Sequence, residues 1–328
     1  MIVGTRGSEL AVVQTERVCE RLRAAGFEDE LKVRKVQSLG DALTGRSLSE
    51  MPEKGVFVKR LDRLVLDGEI DFAVHSMKDI PLERDERLET AAVLPRDSPY
   101  DALVLRHGHG CGLDELLEAE GKGEREGAVV GTSSVRRKFQ LLNYAAERGV
   151  EVRVKEIRGN VGTRLRKLKN GEYDGVILAE AGLERLGLGK ELEHECERLN
   201  CDPFVPSPNQ GIIAVVTRRG TEASERLKAV DDAETRREAE VEQEVLKVIG
   251  GGCSLPVGVH ACCGREGGKE SGSGSGNKEG VELAVYFGFG REKYVLRRAV
   301  LSRDRSLQEA REFAKLFLAA TDTGDSRR

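Results

Sequence analysis

Arginines placed where strands end and helices begin are the residues of this sequence best suited to chemistry. Arg6 follows the apolar run I-V-G-T, Arg136 and Arg137 fall in the first turns of a helix opened by S-S-V, and Arg158 and Arg164 flank G-N-V-G-T. A cation near a helix N-terminus opposes the macrodipole, so Arg136 and Arg137 are locally unfavourable unless an anion offsets them. Guanidinium forks match planar carboxylates or phosphates, and several converging on one place imply a ligand with many negative groups. The competing reading is a set of solvated surface arginines in a chain with 53 Lys and Arg.

Other positions carry reactive groups. Lys78 and Asp79 directly follow the strand pattern D-F-A-V-H-S, where the carboxyl edge of a sheet presents side chains. Asp79 could transfer a proton or stabilise a cationic intermediate, or it could simply cap a turn. Cys253 follows Gly250, Gly251 and Gly252, so its thiol has little steric cover. It could serve as a nucleophile or an attachment point; a buried free cysteine is the alternative. Cys253, His260, Cys262 and Cys263 also suggest a metal site, but no second C-x-x-C accompanies them, and His107, His109 and Cys111 in a Gly-rich loop are no more specific. G-L-G at 187–189 lacks the third glycine of a dinucleotide fingerprint.

Such groups need a sheet to position them. From Ile2 to about Ala179, β-rich runs at 2–5, 31–36, 71–76, 128–132, 152–157 and 175–179 alternate with amphipathic helical patterns, the order of a parallel α/β sheet. Leu10, Val13, Val18 and Leu22 trace one helix that Gly26 would stop; Phe57, Leu61, Leu64 and Val65 trace another before Gly68. V-G-T-R-G-S at 3–8 and V-G-T-S-S-V at 130–135 echo each other as strand end, Gly-Thr turn and Ser-bearing helix start. Two similar halves follow, each with a helix start at a strand's carboxyl end, where open α/β sheets bind ligands and N–H groups attract anions. Ordinary Ser/Thr capping would give the same pattern.

The run at 211–217, arriving after Pro203, Pro206 and Pro208, reads as a strand returning to the first sheet. A charged helix over about 221–249, strands near 255–262, 281–288 and 293–301, and a helix from Ser306 to Ala320 suggest a small α+β domain. The Gly/Ser-rich stretch 264–280 has no core-forming residues and is assigned no chemistry. The expected domains are 1–95 with about 205–219, then 96–204, then 220–328.

Length and composition bound the function. With 328 residues, 39% of them hydrophobic, the chain needs two or three domains. A net charge of -4 excludes the global basic field that recruits nucleic acid, so any anion site is local. No apolar stretch approaches a membrane span and the start M-I-V-G-T-R lacks a leader pattern, so a cytoplasmic protein is expected. Seven cysteines at irregular spacing do not form a disulfide framework.

V-H-S-M-K-D at 74–79, G-T-S-S-V-R-R at 131–137, R-G-N-V-G-T-R at 158–164 and G-G-C at 251–253 are accompanied by T-R-G-S at 5–8, K-G-V-F-V-K at 54–59, N-G-E-Y-D at 170–174, A-G-L-E-R-L-G at 181–187 and N-Q-G at 209–211. In this order they resemble the porphobilinogen deaminases (hydroxymethylbilane synthases), over roughly residues 3–258. The resemblance implies an α/β fold with two type-2 periplasmic-binding-protein-like domains around a cleft, plus a small α+β C-terminal domain. It implies a monomeric transferase of tetrapyrrole and haem biosynthesis, and charge, hydropathy and cysteine spacing lead us to expect no nucleic-acid, membrane or metal partner. That activity joins four porphobilinogen molecules head to tail, with loss of ammonia, onto a dipyrromethane cofactor, and water then releases the linear tetrapyrrole.

By the same resemblance Cys253 would hold the cofactor through a thioether. Arg6, Arg136, Arg137, Arg158, Arg164 and Arg185 match the family's cofactor- and substrate-binding arginines, with Ser8, Lys54, Lys59, Lys78, Thr132, Ser133 and Ser134 as supporting contacts. Asp79 matches the catalytic aspartate, which would hydrogen-bond pyrrole N–H groups and stabilise positive charge as ammonia leaves; Lys78 stands beside it. The sequence departs from the family pattern at Glu53, at Ser254-Leu255-Pro256 and in the Gly/Ser insertion. A non-catalytic two-lobed binding protein for a small polyanion would also explain the halves and the arginines, but would not need Cys253. A metal-binding regulatory protein using 253–263 would instead carry zinc.

Overall fold

In the computed structural model, which describes residues 1–36, 56–108, 112–121, 127–192, 195–250, 255–264, 280–290 and 293–322, the strand patterns form three sheets grouped into two compact units. The strands are β1 Ile2–Arg6, β2 Lys32–Val36, β3 Phe72–Ser76, β4 Leu88–Val93, β5 Asp101–Leu105, β6 Ala128–Gly131, β7 Val152–Lys155, β8 Gly175–Ala179, β9 Cys196–Leu199, β10 Ile213–Arg218, β11 Val257–Cys263, β12 Gly280–Gly288 and β13 Tyr294–Ser302. The helices are α1 Glu9–Ala24, α2 Val56–Leu66, α3 Leu113–Gly121, α4 Val135–Glu147, α5 Val161–Lys169, α6 Glu180–Arg185, α7 Glu222–Leu227, α8 Ala233–Ile249 and α9 Ser306–Asp322.

Unit 1 comprises Met1–Asp97 and Gly211–Arg236. Its sheet runs β2-β1-β3-β10-β4, with β1 parallel to β2 and β3, and β10 antiparallel to both β3 and β4. Successive strand residues face opposite sides, which sorts the core into two layers. Val3, Phe72, Val74 and Val215 pack with Val18 and Leu22 of α1, while Ala73 and Val216 pack with Leu61 and Val65 of α2.

Unit 2 comprises Ser98–Gln210 and Arg237–Arg328. Its first sheet repeats the order as β7-β6-β8-β5-β9, with β6 parallel to β7 and β8, and β5 antiparallel to β8 and β9. The V-G-T echo occupies the same strand of each sheet. A Cβ on Gly4 would lie 2.3 Å from Ile70 Cδ1, and one on Gly131 2.9 Å from Tyr173 Cδ1, so a side chain at either position would oblige its neighbour to shift. Both sheets share one strand order, and the fold class is α/β with a further α+β layer.

Three strands escaped the reading of the sequence. β5 is buried along its whole length and so shows no alternation, and β4 and β9 carry charges within short runs. The helical stretch expected over 221–249 is also broken. The backbone of Asp231 is extended, and Asp232 Oδ1 accepts the amide N–H of Thr235 at 2.9 Å to start α8 afresh.

The third sheet, β11-β12-β13, is antiparallel and packs Val257, Val259, Ala261, Val285 and Leu301 against α8 and α9. The outer edge of β11 is closed by two carboxylates and a main-chain carbonyl. Cys263 N donates to Glu238 Oε1 at 3.1 Å, Ala261 N to Glu242 Oε1 at 2.8 Å and Val259 N to the Pro206 carbonyl at 3.0 Å. Four residues along a helix advance about 6 Å and two along a strand about 6.8 Å, so carboxylates at positions 238 and 242 of α8 meet alternate N–H groups of β11. Glu242 also accepts the Asn209 amide. Glu242→Ala would leave two buried donors unmet and lower the unfolding free energy by roughly 3 kcal/mol in urea titration. A loss under about 1 kcal/mol would show that this edge does not depend on the carboxylate.

Candidate active site

In unit 1 the sequence-expected residues gather at the carboxyl ends of parallel neighbours β1 and β3. Arg6 is the last residue of β1 and Ser8 opens α1. Lys78 and an exposed Asp79 lie in the 3-10 turn Met77–Asp79 that follows β3. That turn is held at both ends, since Met77 N donates to the Ile212 carbonyl at 2.9 Å and Ile80 N to the Met77 carbonyl at 3.0 Å. Gln14 Nε2 donates to Ser76 Oγ at 2.9 Å, tying the end of β3 to α1. Lys59 is exposed in the first turns of α2, the helix that crosses from β2 back to β3.

Behind this edge His75 is buried on the α2 side of β3, with Nε2 3.9 Å from Asp62 Oδ1, which itself pairs with Arg84 at 2.7 Å. Burial, reinforced by the nearby Arg84 and Arg6 guanidiniums, pushes the His75 imidazole down to about 3. The histidine of the H-S-M-K-D motif is therefore neutral at physiological pH.

In unit 2 the corresponding edge is built by the turn from β6 into α4. Thr132 N donates to the Lys155 carbonyl at 3.0 Å, and Ser133 Oγ donates to the Ile157 carbonyl at 2.5 Å, linking this turn to the end of β7. Thr132 Oγ1 accepts from Ser134 N at 3.2 Å, and Ser134 Oγ accepts from Arg137 N at 3.4 Å as the cap of α4. These three hydroxyls thus shape the turn. Asn160 caps α5 by accepting from Thr163 N at 2.9 Å. Arg164 Nε donates to the Gly159 carbonyl at 2.8 Å, Arg158 is exposed and paired with Glu156 at 2.7 Å, and Arg185 is buried at the end of α6 after β8.

Arg136 and Arg137 are both buried, and the anion that offsets them is the chain's own Asp101, the fully buried first residue of β5. Arg137 donates from Nε and Nη2 to Asp101 Oδ1 at 3.1 and 2.8 Å and from Nη1 to the Ile177 carbonyl at 2.9 Å. Arg136 Nη1 lies 2.8 Å from Asp101 Oδ2 and donates to Gln140 Oε1 and the Val205 carbonyl, each at 2.8 Å. Burial alone would raise the Asp101 carboxyl, but the two guanidiniums outweigh it and hold the group well below the usual carboxylate range. Reading the sequence missed Asp101; its only signal was an acid opening an apolar strand, D-A-L-V-L.

One carboxylate does not neutralise the edge. Burial and the neighbouring Arg137 charge lower the Arg164 guanidinium below its ordinary value. Around Asp101 at the start of α4, two guanidiniums therefore face one carboxylate. Lys54 and Cys253, expected as contact and attachment point, lie outside the described residues, as do the Gly/Ser stretch 265–279 and His109 and Cys111. Among the described residues no group of three or more His, Cys, Asp or Glu is placed to hold a metal ion, and no helix is long and apolar enough to cross a membrane.

Residues 1–226 match the sequence model of the family described as "Porphobilinogen deaminase, dipyromethane cofactor binding domain". The chain is 45% identical to a probable porphobilinogen deaminase of Methanosarcina barkeri over 262 residues, 80% of this chain and 77% of that protein. It is also 45% identical to one of Archaeoglobus fulgidus over 261 residues, 80% and 83% of the two chains. Among solved structures, a TctC solute-binding protein from Polaromonas aligns over 97% of this chain and 96% of its own, at 11% identity and a TM-score of 0.40.

The neutral His75 makes stability depend on acid. Its folded value of about 3 lies below the ordinary 6.5, so the unfolded chain takes up the proton first. The contribution is complete above pH 6.5 and is lost as pH falls towards 3, by at most about 1.4 kcal/mol per unit. His75→Gln should flatten the unfolding free energy across that window, and an unchanged slope would show that other groups carry the acid sensitivity.

Proposed function

Because this chain belongs to the porphobilinogen deaminase family, we propose that it condenses porphobilinogen stepwise, head to tail and with loss of ammonia, and releases a linear tetrapyrrole. The observation that carries this reading is the gathering of Arg6, Ser8, Lys78 and Asp79 in one unit, and of Thr132, Ser133, Ser134, Arg158, Arg164 and Arg185 in the other, at the carboxyl edges of two like sheets, where α/β sheets bind ligands. A porphobilinogen ring bears an acetate and a propionate, so a growing chain accumulates carboxylates, and the excess of guanidiniums at the start of α4 supports such a ligand.

In this reading Cys253 holds dipyrromethane through a thioether. When bound, that cofactor supplies the pyrrole carbon onto which the first substrate is joined. Arg136, Arg137, Arg164 and Arg185 act on ring carboxylates, and Thr132, Ser133 and Ser134 keep the turn in shape for them. Arg158, with Lys54 and Lys59, would take the carboxylates of incoming substrate. Asp79 accepts from the pyrrole N–H and stabilises positive charge as ammonia leaves, a task suited to an exposed carboxylate at the end of a rigid turn. Arg6, Ser8 and Lys78 line the same edge of unit 1 and complete its polar surface. The reading takes the protein to be a cytoplasmic monomer without a metal.

Two measurements test it. The intact mass of the purified protein, with mapping of the peptide that contains Cys253, should show an adduct of dipyrromethane mass that is absent from Cys253→Ser. A thiol that stays unmodified after incubation with porphobilinogen or the linear tetrapyrrole would favour a non-catalytic polyanion-binding protein. Asp79→Ala should keep the adduct yet lose turnover by about 100-fold or more, and a fully active variant would remove Asp79 from the chemistry.

A further inference from the structure

We propose that Asp101 is the positioning residue of the arginine pair, setting the direction in which Arg136 and Arg137 present charge to the carboxylates of the cofactor. This rests on the cofactor assignment proposed above, and it assigns a role to a residue outside the family motifs that mark the site.

The geometry is that of a single carboxylate shared by two guanidiniums. Asp101 Oδ1 takes two donors from Arg137 and one from Gln210 Nε2 at 2.8 Å, while Oδ2 faces Arg136. Gln210 also donates to the Pro99 carbonyl at 2.8 Å, and Gln140 Nε2 to the Val205 carbonyl at 2.9 Å. The segment before β5, the segment 205–210 and the first turns of α4 therefore close on one buried group. An arginine has many rotamers in solution. Here two donors of Arg137 lie on one oxygen and a third on the Ile177 carbonyl, so its plane is set before any ligand arrives.

Charge points the same way. Two arginines against Asp101 leave one unit of positive charge, with Arg164 close enough to feel Arg137. Asp101 thus allows the pair to be buried while leaving charge for a ligand, a task that an apolar residue of similar size could not perform.

The test compares full-length wild type with Asp101→Asn and Asp101→Glu, reading cofactor occupancy of the folded protein by intact mass, kcat and KM for porphobilinogen, and the thermal midpoint. Asp101→Asn should lose most of the adduct from its folded fraction. Asp101→Glu keeps the charge but shifts the guanidiniums by one methylene, so its midpoint should fall less than that of Asp101→Asn while KM rises about tenfold with little change in kcat. If Asp101→Asn does not fold, the occupancy and KM of the folded fraction of Asp101→Glu decide. Variants that lower only the midpoint, with wild-type occupancy and KM in the folded fraction, would overturn the positioning role and leave the function standing. A wild-type protein without any adduct would overturn the proposed function, and this role with it.

Discussion

A buried arginine pair can exist only with a buried carboxylate, and much of unit 2 is arranged around the one that Asp101 supplies. Removing one partner of such a cluster leaves an uncompensated charge out of water, typically about 3–5 kcal/mol of destabilisation. Replacing the whole cluster by apolar side chains often costs nothing, so stability alone does not explain why two arginines and an aspartate stand at the start of α4. Their arrangement makes sense as a fixed presentation of charge. The helix dipole is satisfied at the same place by Ser134, whose hydroxyl accepts the Arg137 amide and leaves the guanidinium to Asp101 and the Ile177 carbonyl.

The two sheets show how one strand order can be reached by two routes through the chain. In unit 1 the antiparallel strand between β3 and β4 is β10, which arrives last; in unit 2 the equivalent place is taken by β5, which arrives first. The chain enters each unit for its antiparallel strand directly after crossing from the other, at 97–98 and at 210–211. The parallel strands on the other side of each sheet end at the edge where the motif residues cluster. Position on that edge, rather than proximity in sequence, relates Arg6 to Asp79 and Thr132 to Arg164.

The third layer depends on a different device. A three-stranded antiparallel sheet has two open edges, and β11 hides one of them behind two glutamates a helical turn apart on α8. The same glutamates fix the register between α8 and β11. Charge that would read as a solvated helix face in the sequence is here part of the core, because each carboxylate meets a backbone N–H.

The sequence by itself determined the parallel strands β1, β2, β3, β6, β7 and β8, the glycine stops after α1 and α2, and the equivalence of the two V-G-T turns. These are local matters of periodicity, capping and steric fit. It also carried the ordered motifs that resemble one family, because a family is recognised by residue order and not by contact. Tertiary structure decided what lies far apart in sequence. Asp101 faces arginines about 35 positions away, Glu242 reaches the loop at Asn209, and the stretch 221–249 breaks at Asp231 because its carboxylate accepts the amide of Val93. An acid before an apolar run carries no mark of the cation it will meet. Only the register between β5 and β8, which sets Asp101 opposite Ala179 beneath the first turns of α4, turns it into the partner of Arg136 and Arg137.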